Sequence, residues 1–216
     1  AYAAALAVIG TAAQANAASD INPNATVYAA AGVNGVNSGN LAAINSVLNS
    51  TTIGADQVNS AAKVQAIVDA YNVILGEANG AAADANANSD PSAEQYGAIG
   101  VDIGAAATQP QNLALLNQIV GQKTSAGVDT VAELGELARI ANAIQAIAAG
   151  GIATPALTDT DLSLVGLTGV TADNLSAVLA AIAAKNDNGS ETNSLSQLQA
   201  VVDNVGLALD ALSSFA

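Results

Sequence analysis

Pro23, Pro91 and Pro155 stand 68 and 64 residues apart, and each opens the same string of landmarks. Gly32-Val33, Gly100-Val101 and Gly166-Leu167 follow them at nine, nine and eleven residues, and Tyr28, Tyr96 or Leu162 sits four residues before each of those glycines. Next come Asn40-Leu41, Asn112-Leu113 and Asn174-Leu175, each opening an apolar run. The middle passage carries about four extra residues within Ile103–Gln109, as a loop insertion would. A chain that repeats at this period is constrained to build one unit several times and to bury the seam between neighbours.

The apolar runs have helical spacing. Leu41, Ile44, Val47 and Leu48 match Leu113, Leu116, Ile119 and Val120, then Leu175, Val178, Leu179 and Ile182. Offsets of three and four place each set on one helical face. A longer stripe follows each: Val64, Ile67, Val68, Tyr71, Ile74 and Leu75; Val131, Leu134, Leu137, Ile140, Ile144 and Ile147; Leu195, Leu198, Val201, Val202, Val205, Leu209 and Leu212. Strand signals are short and weak. The pattern predicts an all-α chain of three tandem helical repeats of about 64–70 residues, 1–75, 76–147 and 148–216, stacked or end to end. Each unit reads as a short helix, a glycine turn, a medium helix, a polar loop and a long helix.

Local signals refine this. Asp90-Pro91 reads as an N-cap and first helical residue, Thr130 with Glu133 as a capping box, and Thr171 to Asp173 as cap candidates before Leu175. Gly135 and Gly206 interrupt long helices at roughly 1 kcal/mol each relative to Ala. They are either tolerated or mark close helix approach. Thr11–Asp20 and Ala81–Ser89 read as helix extension or linker, and Val8-Ile9-Gly10 resembles Ile74-Leu75-Gly76, as though the chain opens inside a long helix of an array. Ala1–Ala18 lacks the basic start of a signal peptide, which favours a mature product or a fragment.

Composition removes most chemistry. The chain has no His, Cys, Met or Trp, and 18 acidic residues against four basic ones leave a net charge of −14. Imidazole or thiol catalysis, cysteine-ligated zinc and haem ligation by His or Met are excluded, and a nucleic-acid partner lacks its basic stripe. No stretch reaches the roughly 18–20 apolar residues of a membrane span. Lys63, Lys123, Lys185 and Arg139 read as isolated cations, Glu133 and Glu136 as a solvated helix face, and Asp159 and Asp161 as loop acids. Gly32–Gly35 and Gly100–Gly104 read as turns, since neither has a Walker lysine. No cofactor or small-molecule substrate is inferred, and the chain reads as non-enzymatic. The weak metal candidate is calcium at Asn186–Glu191, through Asp187, Asn188 and Glu191, although the segment does not fit an EF-hand loop.

The third passage, Leu162-Ser-Leu-Val-Gly-Leu-Thr-Gly-Val-Thr-Ala-Asp-Asn-Leu-Ser-Ala-Val-Leu179, resembles the alanine-rich tandem repeats of giant bacterial surface adhesins and biofilm-associated proteins. The first passage departs from it at Val33–Asn40 and the second at Ala105–Thr108. The resemblance implies an exported, cell-surface protein in which such units hold other domains away from the cell. It carries no catalytic or binding residue to these positions. Partners are then adjacent repeats or copies of the same chain. A second expectation is a self-assembling extracellular filament or sheath, with the apolar ends as seams: Tyr2, Leu6 and Ile9 at one, Leu209, Leu212 and Phe215 at the other.

Overall fold

The structure is a computed structural model that describes residues 1–14, 22–80, 90–185 and 188–214. It is all-helical: α1 (Tyr2–Gln14), α2 (Ala25–Ala30), α3 (Leu41–Leu48), α4 (Ala61–Glu77), α5 (Ala93–Ala98), α6 (Pro110–Gln122), α7 (Val131–Ala148), α8 (Asp159–Leu164), α9 (Leu175–Ala183) and α10 (Leu195–Ser213). Among the described residues there is no strand, only an isolated antiparallel pairing of Asn79 with Thr124. The insertion within Ile103–Gln109 forms a 3-10 turn, Gly104–Ala107. The stretches 15–20 and 81–89, expected as helix or linker, lie outside the described residues.

The short helices α2, α5 and α8 share one construction. Asn24, Ser92 and Thr158 cap them by accepting from the N–H of Val27, Gln95 and Asp161. Four residues after each cap a side chain is fully buried: Tyr28, Tyr96 and Leu162. Each helix ends at a glycine of positive φ, Gly32, Gly100 or Gly166. The next residue then donates its N–H back to that buried position, at 3.0 Å for Val33 to Tyr28, Val101 to Tyr96 and Leu167 to Leu162. This is a Schellman ending with its hydrophobic contact, which only a left-handed residue can close. The cap of α5 is thus Ser92 and not Asp90, because Ser92 and Gln95 form the reciprocal box and Pro91 lies ahead of it. Likewise α9 is preceded by Asn174 at its cap position, not Thr171 or Asp173.

The long helices repeat a burial pattern. In α4 and its C-cap, Val64, Ile67, Val68, Ala70, Tyr71, Ile74, Glu77 and Ala78 are buried. Seventy positions on, in α7, Leu134, Leu137, Ala138, Ile140, Ala141, Ile144, Ile147 and Ala148 are all buried too. In α10 the corresponding Leu198, Val201 and Val202 are buried, whereas Asn204, Ala208, Ala211 and Leu212 are exposed and Val205 is half-buried. Helix α1 shows the complement: Ala5, Ile9, Ala12 and Ala13 match Ala70, Ile74, Glu77 and Ala78 in spacing and are buried. A Cβ on Gly135 or Gly206 meets no atom within 4 Å, so these glycines do not mark close helix approach.

Residue contacts divide the chain into two compact units, with the division inside α7 between Gly135 and Glu136. Unit 1 holds α1–α5 and residues 123–135; α1 packs on α2 and α3, and α4 on α3 and α5. Two of its buried tyrosines donate their hydroxyls, Tyr28 to Asn45 Oδ1 at 2.7 Å and Tyr71 to the Val128 carbonyl at 2.9 Å. Burial raises both phenols well above their ordinary pKa, so they stay neutral donors. Unit 2 holds α6, the rest of α7 and α8–α10, with α10 packed on α9 and α6.

Candidate functional site

The same set of contacts closes each unit. In unit 1 the first N–H of α7, on Val131, donates to Ser46 Oγ of α3 at 3.0 Å. In unit 2 the first N–H of α10, on Leu195, donates to Gln118 Oε1 of α6 at 3.0 Å. Ser46 and Gln118 hold the same position relative to Leu41 and Leu113. These two N–H groups have no partner within their own helices, so a neighbouring side chain completes them. The loop ahead of each long helix is held as well: Tyr71 donates to the Val128 carbonyl, and Gln145 Nε2 to the Thr192 carbonyl at 2.7 Å. Val128 and Thr192 are both fully buried.

A glycine turn completes each set. Thr52, just beyond α3, donates its hydroxyl to the Gly100 carbonyl at 2.8 Å, and a Cβ on Gly100 would collide with the Thr52 side chain. A Cβ on Gly166 would collide with the Gln122 carboxamide at the end of α6. At Gly32, in contrast, the nearest atoms would be Tyr2 Cε2 and Ala61 Cβ, both at 3.9 Å.

Two loops are fastened identically. Gln65 Oε1 accepts from Asn34 N–H at 2.8 Å while its Nε2 donates to the Asn34 carbonyl and to Asp69. Gln199 does the same with Thr168, at 2.9 Å, and with Asp203. Asn40 and Asn174, each just before a medium helix, accept from the N–H of Asn37 and Thr171 and donate to the carbonyls of Gly35 and Gly169. The sequence reading missed Gln65, Gln199, Ser46 and Gln118; their shared positions relative to the apolar stripes were the available signal.

Arg139 is not an isolated cation. It bonds Glu136 at 2.7 Å and Asp161 at 2.5 Å, and Asp161 also accepts from the Thr158 N–H and hydroxyl. Asp159 and Asp161 lie in the first turn of α8 and not in a loop. Hydrogen bonding from Arg139 lowers the Glu136 pKa. For Asp161 partial burial pushes upward, but the Thr158 bonds and Arg139 outweigh it and hold the pKa low. A lowered folded pKa stabilises the fold above the ordinary carboxylate range, and that stability is lost as pH falls through the lowered value. Asp161→Asn should therefore cost about 1 kcal/mol at pH 7 and progressively less as the pH falls below the ordinary carboxylate range, read from urea midpoints across that range.

The remaining expected residues fall as follows. Asp187 and Phe215 lie outside the described residues. Asn188 Oδ1 accepts from the Ser190 N–H within its own turn, and Glu191 is exposed. Among the described residues no group of three or more acids is placed to hold a metal. Tyr2 is 51% exposed, Leu6 half-buried, and Ile9 fully buried against its own unit; Leu209 and Leu212 are 41% and 70% exposed. The described residues include open grooves. One of about 430 Å³ lies beside Ser46 and Thr130 in unit 1, and one of about 300 Å³ runs between the end of α9 and α10 in unit 2. Among the described residues no helix is long and apolar enough to cross a membrane.

No family model, curated protein or solved structure matches this chain.

Proposed function

We propose that the chain is three tandem copies of one helical unit, at 1–75, 76–147 and 148–216, and that it serves as a non-enzymatic extension module of a secreted bacterial surface adhesin. The observation that carries this reading is the duplicated joint. Val131 on Ser46 and Leu195 on Gln118 are one contact written twice, and in each case the glycine turn of the following short helix lies against a side chain at or just beyond the end of the medium helix, Gly100 against Thr52 and Gly166 against Gln122. A protein whose built feature is the means of adding the next unit is suited to spanning distance. The net charge of −14 keeps such arrays from collapsing onto one another.

The test is extension. A unit duplicated in register should raise the urea midpoint and add a constant increment to the distance between two labels, one near each end. Engineered cysteines give clean labelling because the chain has none. A distance that stays constant as units are added refutes the spacer role. Antibodies to the chain should decorate intact cells of the producing organism, and labelling only after permeabilisation refutes the surface location. A filament or sheath subunit is the second reading, favoured by the exposed Leu207, Leu209 and Leu212 on α10.

Within the joint, Ser46→Ala should cost about 1 kcal/mol by leaving the Val131 N–H without its acceptor. Glycine at position 46 should cost more, since it also weakens α3.

A further inference from the structure

We infer that Asn34 is a site of self-modification, where the Gly35 backbone nitrogen displaces the Asn34 carboxamide nitrogen as ammonia and leaves an aspartyl or a β-linked isoaspartyl residue. The inference does not depend on the spacer reading.

The chain has three Asn-Gly pairs, Asn34-Gly35, Asn79-Gly80 and Asn188-Gly189. Glycine after asparagine leaves the attacking nitrogen unshielded, because no Cβ stands beside it. The fold treats the three pairs differently. The Gly80 N–H donates to the Lys123 carbonyl at 2.9 Å and Asn79 Nδ2 to the Glu77 carbonyl at 2.6 Å, so nucleophile and leaving group are both held. Asn188 Oδ1 accepts from the Ser190 N–H at 2.9 Å, and Gly189 is buried where a Cβ would collide with the Gln145 carboxamide. At Asn34-Gly35 both residues are exposed, and among the described residues neither the Asn34 carboxamide nor the Gly35 N–H has a hydrogen-bond partner. The Asn34 carbonyl accepts from Gln65 Nε2 at 3.1 Å. That bond polarises the Asn34–Gly35 amide and eases loss of its proton, which is what makes the nitrogen a nucleophile.

The Gly35 nitrogen bonds Asn34 Cγ, the Cγ–Nδ2 bond breaks, and Nδ2 leaves as ammonia with the proton that the Gly35 nitrogen gave up. Water then opens the cyclic imide. Cleaving the new N–Cγ bond gives aspartate; cleaving the original peptide bond gives isoaspartate, with the backbone routed through the side chain.

The two products act differently on the fold. Asp102 holds the place after Gly100 that Asn34 holds after Gly32, and Thr168 holds it after Gly166. Thr168 makes the same two bonds to Gln199 that Asn34 makes to Gln65. An ordinary α-linked residue of another kind therefore fits there. The β-linked product carries an extra backbone methylene between its N–H and its carbonyl. Both can no longer meet one carboxamide, and the turn between α2 and α3 loses its fastening to α4.

The experiment incubates the folded full chain in heavy-oxygen water at mildly alkaline pH and then digests it with trypsin in ordinary water. Cleavage after Lys63, Lys123 and Lys185 puts the three pairs on separate peptides, 1–63, 64–123 and 186–216. Mass spectrometry should show heavy-oxygen uptake several-fold faster in 1–63 than in the other two, located at Asn34 by fragment ions. In urea the three rates should converge. Asn34→Thr, which copies Thr168, should abolish the uptake at that position and leave the urea midpoint unchanged. Asn34→Asp should keep the midpoint as well, whereas the isoaspartyl chain, purified by chromatography, should have a lower one. Uptake in 64–123 or 186–216 as fast as in 1–63 in the folded chain overturns the site, as does a 1–63 peptide that stays amidated at Asn34. An isoaspartyl chain as stable as the unmodified one overturns the effect on the turn.

Discussion

Excising Tyr71–Ile140 as one block should leave a chain that folds cooperatively, although it removes a third of the protein. Ala70 would then run directly into Ala141, which has the place in α7 that Tyr71 has in α4. The hybrid helix keeps Val64, Ile67, Val68 and Ala70 from one parent and Ala141, Ile144, Ile147 and Ala148 from the other, on a single stripe. The joint is rebuilt from existing parts: Ser46 is presented to Leu195 in place of Val131, and Thr52 to Gly166 in place of Gly100. Excising Tyr71–Asn142, two residues more, turns the second half by about 200°, since each residue advances a helix by about 100°. That puts Ile144 and Ile147 toward solvent. Losing two such side chains and the joint costs on the order of 5 kcal/mol or more, comparable to the whole stability of a small domain. Urea melts followed at 222 nm should give one sigmoidal transition for the first deletion and no pre-transition baseline for the second. Equal behaviour of the two would remove the basis of the repeat.

The elements legible in the sequence were those set by one side chain and its near neighbours. The Tyr28/Gly32, Tyr96/Gly100 and Leu162/Gly166 pairs marked three helices and their ends because a Schellman ending needs a left-handed residue at a fixed distance. The Thr130–Glu133 box closes as expected, with both reciprocal bonds present. What the sequence hid was the destination of each polar group. Arg139 looked solitary although Glu136 stands three residues before it on the same helix, and its other partner, Asp161, lies 22 residues away and meets it only once α8 is folded. Ser92 was overlooked in favour of Asp90-Pro91, where the proline suggested a first helical turn. The α10 stripe read as continuous from Leu195 to Leu212, and periodicity alone gives no hint that burial stops after Val202. Helical amphipathicity records which face is made to be covered, not whether anything covers it. Ile9 shows the converse, since its place at an apolar chain end suggested an open seam and α1 already spends it on α2 and α3.

Alanine at Gly100 should be the most damaging of three formally identical substitutions. Gly32, Gly100 and Gly166 have φ of 75°, 75° and 95°, and a left-handed backbone costs any L-residue about 1–2 kcal/mol. At Gly32 nothing else is added, because the nearest atoms lie at 3.9 Å. At Gly166 the obstacle is the far end of Gln122, a flexible carboxamide that swings aside, so a total of about 2 kcal/mol is expected. At Gly100 the new methyl collides with the Thr52 hydroxyl and also meets Thr52 Cβ at 3.1 Å and Ile53 Cγ1 at 3.0 Å. The Thr52 Cβ retreats only with its backbone, and overpacking adds about 1–3 kcal/mol, for a total near 3–4 kcal/mol. Urea midpoints should therefore fall in the order Gly100→Ala, Gly166→Ala, Gly32→Ala, with the first lowest. Adding Thr52→Ala to Gly100→Ala should recover the part of the loss that the Thr52 hydroxyl imposes and leave the rest. That coupling separates the joint from the turn. Three equal losses, or a double variant no better than the single, would mean that the glycines serve only their own turns.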